Sequence, residues 1–111
     1  MFQAIAPVFP AFNIQATSLF YKDKLNFEIG YSGNYLVVTK EKLQIYFFED
    51  KDSYERFSCF ISVNNIEDLY AKFSSMGILE PNGMLEIRPG NFKTFYIMDN
   101  NGHELRFRNA F

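Results

Sequence analysis

The sequence predicts an α+β fold composed of two βαβββ modules. A strand passes directly into a helix within Phe57–Gly77, and a similar passage occurs near the start of the chain. After each helix come three short segments with strand character, separated by turn residues. This order recurs at about half the chain length, which is typical of a duplicated architecture. We therefore expect one domain of 111 residues, with modules at residues 1–50 and 57–111.

The segment Phe57–Gly77 contains the predicted strand and amphipathic helix of the second module. From Phe57 to Val63 two sets of residues alternate, with Cys59, Ile61 and Val63 on the apolar face and Ser58, Phe60 and Ser62 on the other. The apolar residues then recur at helical spacing, at Ile66, Leu69, Tyr70, Phe73 and Met76. We expect the side-chain oxygen of Asn65 to cap this helix. Gly77 is expected to end it in a left-handed conformation.

The first module begins with a strand that contains proline. Residues 2–9 form an apolar segment interrupted by Pro7 and ended by Pro10. Because proline cannot donate a ladder hydrogen bond, this strand is expected at a sheet edge or paired with another chain. Asn13 is the predicted cap of the helix that follows. The apolar and small residues of that helix are Ile14, Thr17, Ser18, Tyr21 and Leu25.

Each helix precedes three predicted strands with turn residues between them. In the first module the strands are Phe27–Ser32, Tyr35–Thr39 and Leu43–Phe48, and in the second they are Met84–Arg88, Phe92–Met98 and Glu104–Arg108. The turns include Gly33-Asn34, Pro89-Gly90-Asn91 and Asp99-Asn100-Asn101-Gly102. Between the modules, Glu49–Arg56 reads as a solvated charged loop.

Composition restricts the possible functions. The chain has 11 Lys and Arg against 13 Asp and Glu, a net charge of -2, so it lacks the clustered basic surface that nucleic acid requires. It has neither a signal-like start nor an apolar stretch long enough to span a bilayer, and we expect a cytoplasmic protein without a membrane partner. Its one cysteine, Cys59, permits no internal disulfide and is expected in the core. The 14 Phe and 7 Tyr are many for this length, so some rings are expected outside the core.

Three segments together resemble the vicinal oxygen chelate superfamily, which includes glyoxalase, extradiol dioxygenases, fosfomycin-modifying enzymes and bleomycin resistance proteins. They are FYKDKLNF (Phe20–Phe27), IEDLY (Ile66–Tyr70) followed by Gly77, and FYIMDNNGHELRF (Phe95–Phe107). Within the superfamily the sequence is most similar to bleomycin resistance proteins, in its proline-bearing first strand and in LQIYFF, a charged loop and FSCF at the module junction. The resemblance implies a cupped mixed sheet and a homodimer with exchanged edge strands.

The resemblance also implies where a metal would bind. Enzymes of the superfamily hold a divalent metal through His and Glu at four positions, which correspond here to Ala6, Tyr46, Ser58 and Arg106. None of these is a usual metal ligand, and a chain with one His and one Cys has few to offer, so no metal and no cofactor are expected. His103 beside its turn is expected to be a surface imidazole. Arg106 is expected either to hold an anionic ligand or to pair with neighbouring residues or solvent.

The strand faces turned away from the helices are the predicted binding surface. By alternation they carry Gln44, Tyr46 and Phe48; Ser58, Phe60 and Ser62; Thr94, Tyr96 and Met98; and Glu104, Arg106 and Arg108. Such an aromatic and polar lining suits a flat molecule held by stacking and a few hydrogen bonds. Alternatively, these rings fill a dimer interface or the concave core.

The function that this resemblance implies is sequestration of a small molecule without catalysis. In bleomycin resistance proteins two aromatic residues stack on the drug, at positions that correspond here to Tyr35 and Asn91, with Phe92 adjacent. We predict a homodimer that binds a planar, preferably cationic antibiotic in a groove at its interface. The predicted ligand-binding residues are Tyr35, Tyr46, Phe48, Ser58, Phe60, Asn91, Phe92 and Arg106. Alternatives are an enzyme of the superfamily acting on another small molecule, and a protein that binds a host metabolite.

Overall fold

The computed structural model describes residues 1–109, which form two compact units divided between Glu55 and Arg56. Each unit contains one four-stranded mixed sheet and a helix between its first and second strands. The prediction of an α+β fold with two βαβββ modules is therefore confirmed. None of the helices in residues 1–109 has the length and hydrophobicity needed to cross a membrane.

In the first unit the sheet has the order β1-β4-β3-β2. Its elements are β1 (Val8–Ala11), α1 (Ile14–Leu19), a π-helical turn (Phe20–Lys24), β2 (Glu28–Ser32), β3 (Tyr35–Lys40) and β4 (Leu43–Glu49). Strand β1 lies at the edge and runs parallel to β4, whereas β2, β3 and β4 form an antiparallel meander.

The boundaries of the first strand differ from the prediction. The sequence suggested residues 2–9 with Pro10 as the end, but β1 begins at Val8 and contains Pro10. An edge strand needs hydrogen bonds on one side only, so a residue without an N–H group is tolerated there. Carbonyl groups at the two ends of the strand accept instead: Tyr46 N–H donates to the oxygen of Pro7, just before β1, at 3.0 Å, and Asp50 N–H donates to the oxygen of Ala11, its last residue, at 2.9 Å.

The core of the first unit is aromatic and lies on the helix side of the sheet. Asn13 caps α1 as predicted, because its side-chain oxygen accepts from Ala16 N–H at 2.9 Å. The following turn buries the Tyr21 ring, whose centroid lies 5.4 Å from that of Phe27 and 5.2 Å from that of Phe47. These contacts join α1 and its extension to β4.

In the second unit the sheet has the order β5-β8-β7-β6, with β5 parallel to β8. Its elements are β5 (Ser58–Val63), α2 (Ile66–Ser75), a 3-10 turn (Pro81–Gly83), β6 (Glu86–Arg88), β7 (Phe92–Met98) and β8 (Glu104–Asn109). Helix α2 packs through Phe73, whose ring lies 6.0 Å from Phe95 and 5.5 Å from Phe107. The rings of Phe95 and Phe107 stack at 5.1 Å.

The predicted cap of the second helix is wrong in its mechanism. Asn65 does precede α2, but its φ of 54° and ψ of 53° are left-handed and its side chain makes no capping hydrogen bond. A capping side chain reaches the first-turn amides from an extended backbone, which Asn13 has and Asn65 lacks. Asparagine is instead suited to this position because it tolerates left-handed geometry. Gly77 ends the helix region with φ of 70°, as predicted.

The two asparagines should therefore respond differently to substitution. Asn13→Ala removes a capping acceptor and is expected to lower the free energy of unfolding by about 1 kcal/mol. Asn65→Gly removes no side-chain hydrogen bond and suits the positive φ, so stability should stay the same or rise slightly. Urea denaturation measures both, with Asn13→Asp as a control that keeps the acceptor. Equal losses in Asn13→Ala and Asn13→Asp would contradict the capping assignment.

Candidate functional site

In the first unit, three predicted site residues share one sheet face. Tyr46 and Phe48 lie on β4, where they alternate with the buried Ile45 and Phe47. Tyr46 pairs with Val37, two residues from Tyr35 on β3, so Tyr35 faces the same way. We call Tyr35, Tyr46 and Phe48 the first aromatic face.

The rings of the first aromatic face are left accessible. The Tyr35 and Tyr46 rings meet edge to face with centroids 5.9 Å apart. Tyr35 is 42% exposed and Phe48 is 38% exposed, whereas Tyr46 is half-buried. The edge-to-face contact fixes the relative orientation of the two tyrosines, and the exposed rings can receive a planar group.

In the second unit, the predicted residues Ser58, Phe60 and Arg106 lie on a single face. Ser58 and Phe60 belong to β5, the edge strand, and Phe60 is 63% exposed. Across the sheet Arg106 of β8 pairs with Phe60 on one side and with Tyr96 of β7 on the other. Phe60, Arg106 and Tyr96 therefore form one row on the face away from α2.

Arg106 is held in place by its neighbours. Its guanidinium carbon lies 5.0 Å from the Tyr96 ring centroid, within the range of a cation–π contact. Its Nε donates to a Glu104 carboxylate oxygen at 2.9 Å, and its Nη2 lies 2.6 Å from the same oxygen in an ion pair. Of the sequence alternatives for Arg106, pairing with a neighbour is thus observed. The pairing leaves part of the guanidinium for another acceptor.

The two predicted residues near the start of β7 have unequal roles. Asn91 is an exposed turn residue with φ of 60°, after Gly90 with φ of 85°. Phe92 lies against Arg108, whose guanidinium carbon is 3.8 Å from the ring centroid. The Asn109 side chain accepts from Lys93 N–H at 2.7 Å and donates to Asn91 O at 3.3 Å, which fixes the backbone on both sides of Phe92. Because Arg108 covers one face of the partly buried Phe92 ring, a ligand could stack on at most the other face.

The positions implied for a metal carry unsuitable side chains. Ala6 precedes β1, Tyr46 lies on β4, Ser58 begins β5 and Arg106 lies on β8. Within residues 1–109 no three His, Cys, Asp or Glu side chains converge in a way that could hold a metal ion. A divalent metal needs several such donors together.

His103 is buried, contrary to the expected surface position. Its Nδ1 accepts from Phe57 N–H at 3.1 Å, and its ring centroid lies 5.7 Å from that of Phe57. Asp99 fixes the preceding turn, because one carboxylate oxygen accepts from Asn101 N–H at 2.8 Å and His103 N–H at 3.0 Å. The imidazole therefore joins the starts of β5 and β8. The polar turn next to His103 suggested an exposed side chain. The prediction was wrong because adjacency to a turn does not show which way the side chain points.

Sequence reasoning missed a depression of about 240 Å³ in the second unit. Its lining residues are Asn82, Gly83, Met84, Glu86, Arg88, Thr94, Phe95, Tyr96 and Arg106. Arg106 belongs to the predicted ligand-binding residues, and Thr94 and Tyr96 belong to the predicted binding surface. Glu86 and Arg88 alternate on β6 with Ile87 between them, a signal that could have placed both charges on one face.

Gly83 allows the wall of this depression to form. A Cβ added at Gly83 would lie 2.5 Å from the Tyr96 carbonyl oxygen, closer than real contacts allow. The 3-10 turn that contains Gly83 therefore packs directly on β7, and a side chain would separate the two.

The sequence matches no family model and no curated protein sequence. Solved structures nevertheless match it over nearly the whole chain. A bleomycin resistance determinant encoded on the transposon Tn5 has a TM-score of 0.85 at 20% identity, covering 98% of each chain. A bleomycin-binding protein in complex with bleomycin has a TM-score of 0.81 at 19% identity, covering 99% of this chain and 100% of that one.

The chain has the fold of bleomycin resistance proteins. Lactoylglutathione lyase from Agrobacterium tumefaciens has a TM-score of 0.77 at 15% identity, covering 96% of this chain and 93% of that chain. The resemblance to the vicinal oxygen chelate superfamily is therefore confirmed as a likeness of fold. That fold carries both a drug-binding protein and a lyase, so the side chains on it must decide between binding and catalysis.

The reactivity of the Cys59 thiol tests whether its side chain is shielded from solvent on β5. The side chain is partly buried rather than fully in the core. Burial, with a smaller contribution from the negative charge of Asp99, raises the pKa of the Cys59 thiol to about 11. At pH 8 the folded thiol should react with DTNB at least about tenfold more slowly than the thiol unfolded in urea, because only the thiolate is nucleophilic.

The raised pKa of the Cys59 thiol also determines how its contribution to stability changes with pH. The unfolded thiol ionises at lower pH than the folded thiol, so the stability associated with this group is lost as the pH rises above the unfolded pKa toward 11. Equal reaction rates in the folded and unfolded states would show that the thiol is not shielded on β5.

Proposed function

We propose that this protein binds and sequesters a planar small molecule, preferably a cationic antibiotic such as bleomycin, without transforming it. The proposed site is a groove at the interface of a homodimer, and each chain acts as one domain in the cytoplasm. The observation that carries the proposal is the first aromatic face, where Tyr35 and Phe48 remain substantially exposed beside Tyr46.

An aromatic cluster left exposed on a sheet face supports a binding role. Burying such rings would be favourable, at roughly 25 cal/mol for each Å² of apolar surface removed from water. The helix side of the same sheet is filled by Tyr21 and Phe47, so the rings of the aromatic face cannot be buried there. Apolar surface left in this state is typical of ligand or partner sites.

The ligand chemistry follows from the rings and the charge. Tyrosine faces attract planar groups and cations, and a net charge of -2 slightly favours a cation. Phe92 differs, because Arg108 already places a cation against one of its faces. We therefore assign the cation preference to Tyr35 and planar stacking to Phe92. The other proposed contacts are the exposed Ser58, Phe60 and Asn91, together with Arg106.

The alternative function is an enzyme of the same superfamily acting on another small molecule. It is supported by the fold shared with lactoylglutathione lyase. The side chains favour binding instead, because the positions implied for a metal carry alanine, tyrosine, serine and arginine. Catalysis on this chain would have to proceed without the ligand set of those enzymes.

Bleomycin binding measured by calorimetry tests the proposed function. We expect the native chain to bind, and Tyr35→Ala to weaken binding about fivefold, the effect of about 1 kcal/mol for one stacking ring. Phe92→Ala should cause a similar loss. Tyr31→Ala is the matched control, because Tyr31 is 64% exposed but pairs with the buried Leu36 on the opposite face of the same sheet.

Three results of this titration are informative. Absence of heat at high micromolar drug would show that bleomycin resistance is the wrong function. Binding that is unchanged by both Tyr35→Ala and Phe92→Ala would keep the function and reject the proposed groove. A loss in Tyr31→Ala as large as that in Tyr35→Ala would show that the effect is not specific to the first aromatic face.

We predict a homodimer in solution. Strand β1 is an edge strand, and before it Met1, Phe2 and Ile5 are fully or almost fully exposed. Apolar side chains beside an open strand edge favour pairing with a second chain. Sedimentation should give twice the chain mass at micromolar concentration, and the double variant Phe2→Ser with Ile5→Ser should shift the equilibrium toward monomer. A native protein that is monomeric under these conditions would exclude a dimer-interface groove.

The purified protein is expected to contain far less than one equivalent of zinc, nickel, manganese or iron per chain. The physical reason is that Ala6, Tyr46, Ser58 and Arg106 supply no usual ligand set. Elemental analysis after exhaustive dialysis measures this directly. One bound metal per chain, lost on substitution of groove residues, would favour the enzymatic alternative.

A further inference from the structure

We propose that the depression in the second unit is a binding site for the anionic group of a small organic molecule, a carboxylate or a phosphate. Two arginines on different strands line it, Arg88 on β6 and Arg106 on β8, and Tyr96 lies on the strand between them. The proposal depends only on residues of this unit. It shares Arg106 with the proposed drug contacts but does not require that bleomycin bind.

The two guanidinium groups have donors to spare. A guanidinium carries five N–H donors. Arg106 donates one of them, from Nε, to Glu104, and its Nη2 forms an ion pair with the same oxygen. Arg88 Nε lies 3.1 Å from a Glu86 carboxylate oxygen in an ion pair. Neither arginine has another acceptor among residues 1–109, so the remaining donors can bind an acceptor from solution.

Arg106 is oriented before any ligand arrives. Glu104 holds one edge of its guanidinium, and the Tyr96 ring lies against it at 5.0 Å. Tyr96 is in turn fixed by the 3-10 turn, which the absence of a side chain at Gly83 allows to pack on it. A pre-oriented guanidinium loses less conformational entropy when it binds an anion, and planar bidentate pairing suits both carboxylate and phosphate.

The nearby carboxylates limit the affinity of the depression for anions but do not remove its preference for anions over neutral groups. Glu86 and Glu104 offset the two arginines, so the site attracts anions through local N–H donors rather than through a large net charge. A neutral group could accept these hydrogen bonds only more weakly, because charge-assisted bonds are about twice as strong.

The size of the depression limits the ligand. The depression has a volume of about 240 Å³. Sites for drug-sized molecules typically occupy roughly 300–1,000 Å³. The depression therefore accommodates a small organic anion, or only the anionic end of a larger molecule.

Amide chemical shifts of the full chain, titrated with three probes, test this site. Phenyl phosphate and benzoate carry the two candidate anions, and benzyl alcohol is the neutral control. We expect at least one anion to shift amides within residues 81–88 and 94–96, while benzyl alcohol shifts them little. Arg106→Gln and Arg88→Gln should each weaken the binding about tenfold, the loss expected for a charge-assisted hydrogen bond.

The matched control is Lys42→Gln, which removes one exposed positive charge from the turn between β3 and β4 and should leave binding unchanged. If Arg106→Gln disturbs the fold, anion binding by the Arg88→Gln variant tests the proposal, because Arg88 is exposed. If only one of the two anions binds, the result shows whether the site prefers a phosphate or a carboxylate. The proposal is overturned if benzyl alcohol binds equally well, if neither anion shifts these amides, or if Arg88→Gln binds like the native chain.

Discussion

Each sheet of this protein is covered by helix on one face, and this constraint determines where side chains can be buried and where they remain available. Four strands present two faces, and one short helix can cover only one of them. In the first unit α1 and its π-helical extension cover the face that carries Phe47, and in the second α2 covers the face that carries Phe95 and Phe107. Alternation along β4 and β7 then places Tyr46, Phe48 and Tyr96 on the opposite faces.

The two open faces have different chemistry. That of the first unit presents exposed tyrosine and phenylalanine rings, which suit planar and cationic groups. That of the second unit adds Arg106 and Arg108, which lie against Tyr96 and Phe92, and a depression lined by Arg88 and Arg106.

Small conformational details determine how these surfaces are built. Asn91 and Gly90 have positive φ and turn the chain into β7, so Phe92 begins that strand beside Arg108. Gly83 allows the 3-10 turn to contact Tyr96 directly. Buried His103, just before β8, accepts from the amide of Phe57, just before β5. This bond links the starts of the two strands that carry Phe60 and Arg106.

The sequence by itself determined the order of elements, the residues on each strand face and the likeness of fold, because alternation, helical spacing and turn residues are local properties of the chain. It placed Asn13 and Gly77 correctly for the same reason. Only the tertiary structure decided the left-handed geometry of Asn65, the burial of His103, the pairing of Arg106 with Glu104 and the depression beside Arg88. The conformation of Asn65 depends on how the chain turns from β5 into α2, which residue type does not specify. Glu104 and Arg106 lie two residues apart on one face of β8, but the sequence left open whether Arg106 pairs with a neighbour or with a ligand. The burial of His103 and the depression depend on which side chains meet across strands and turns, and neighbours in space need not be neighbours in sequence.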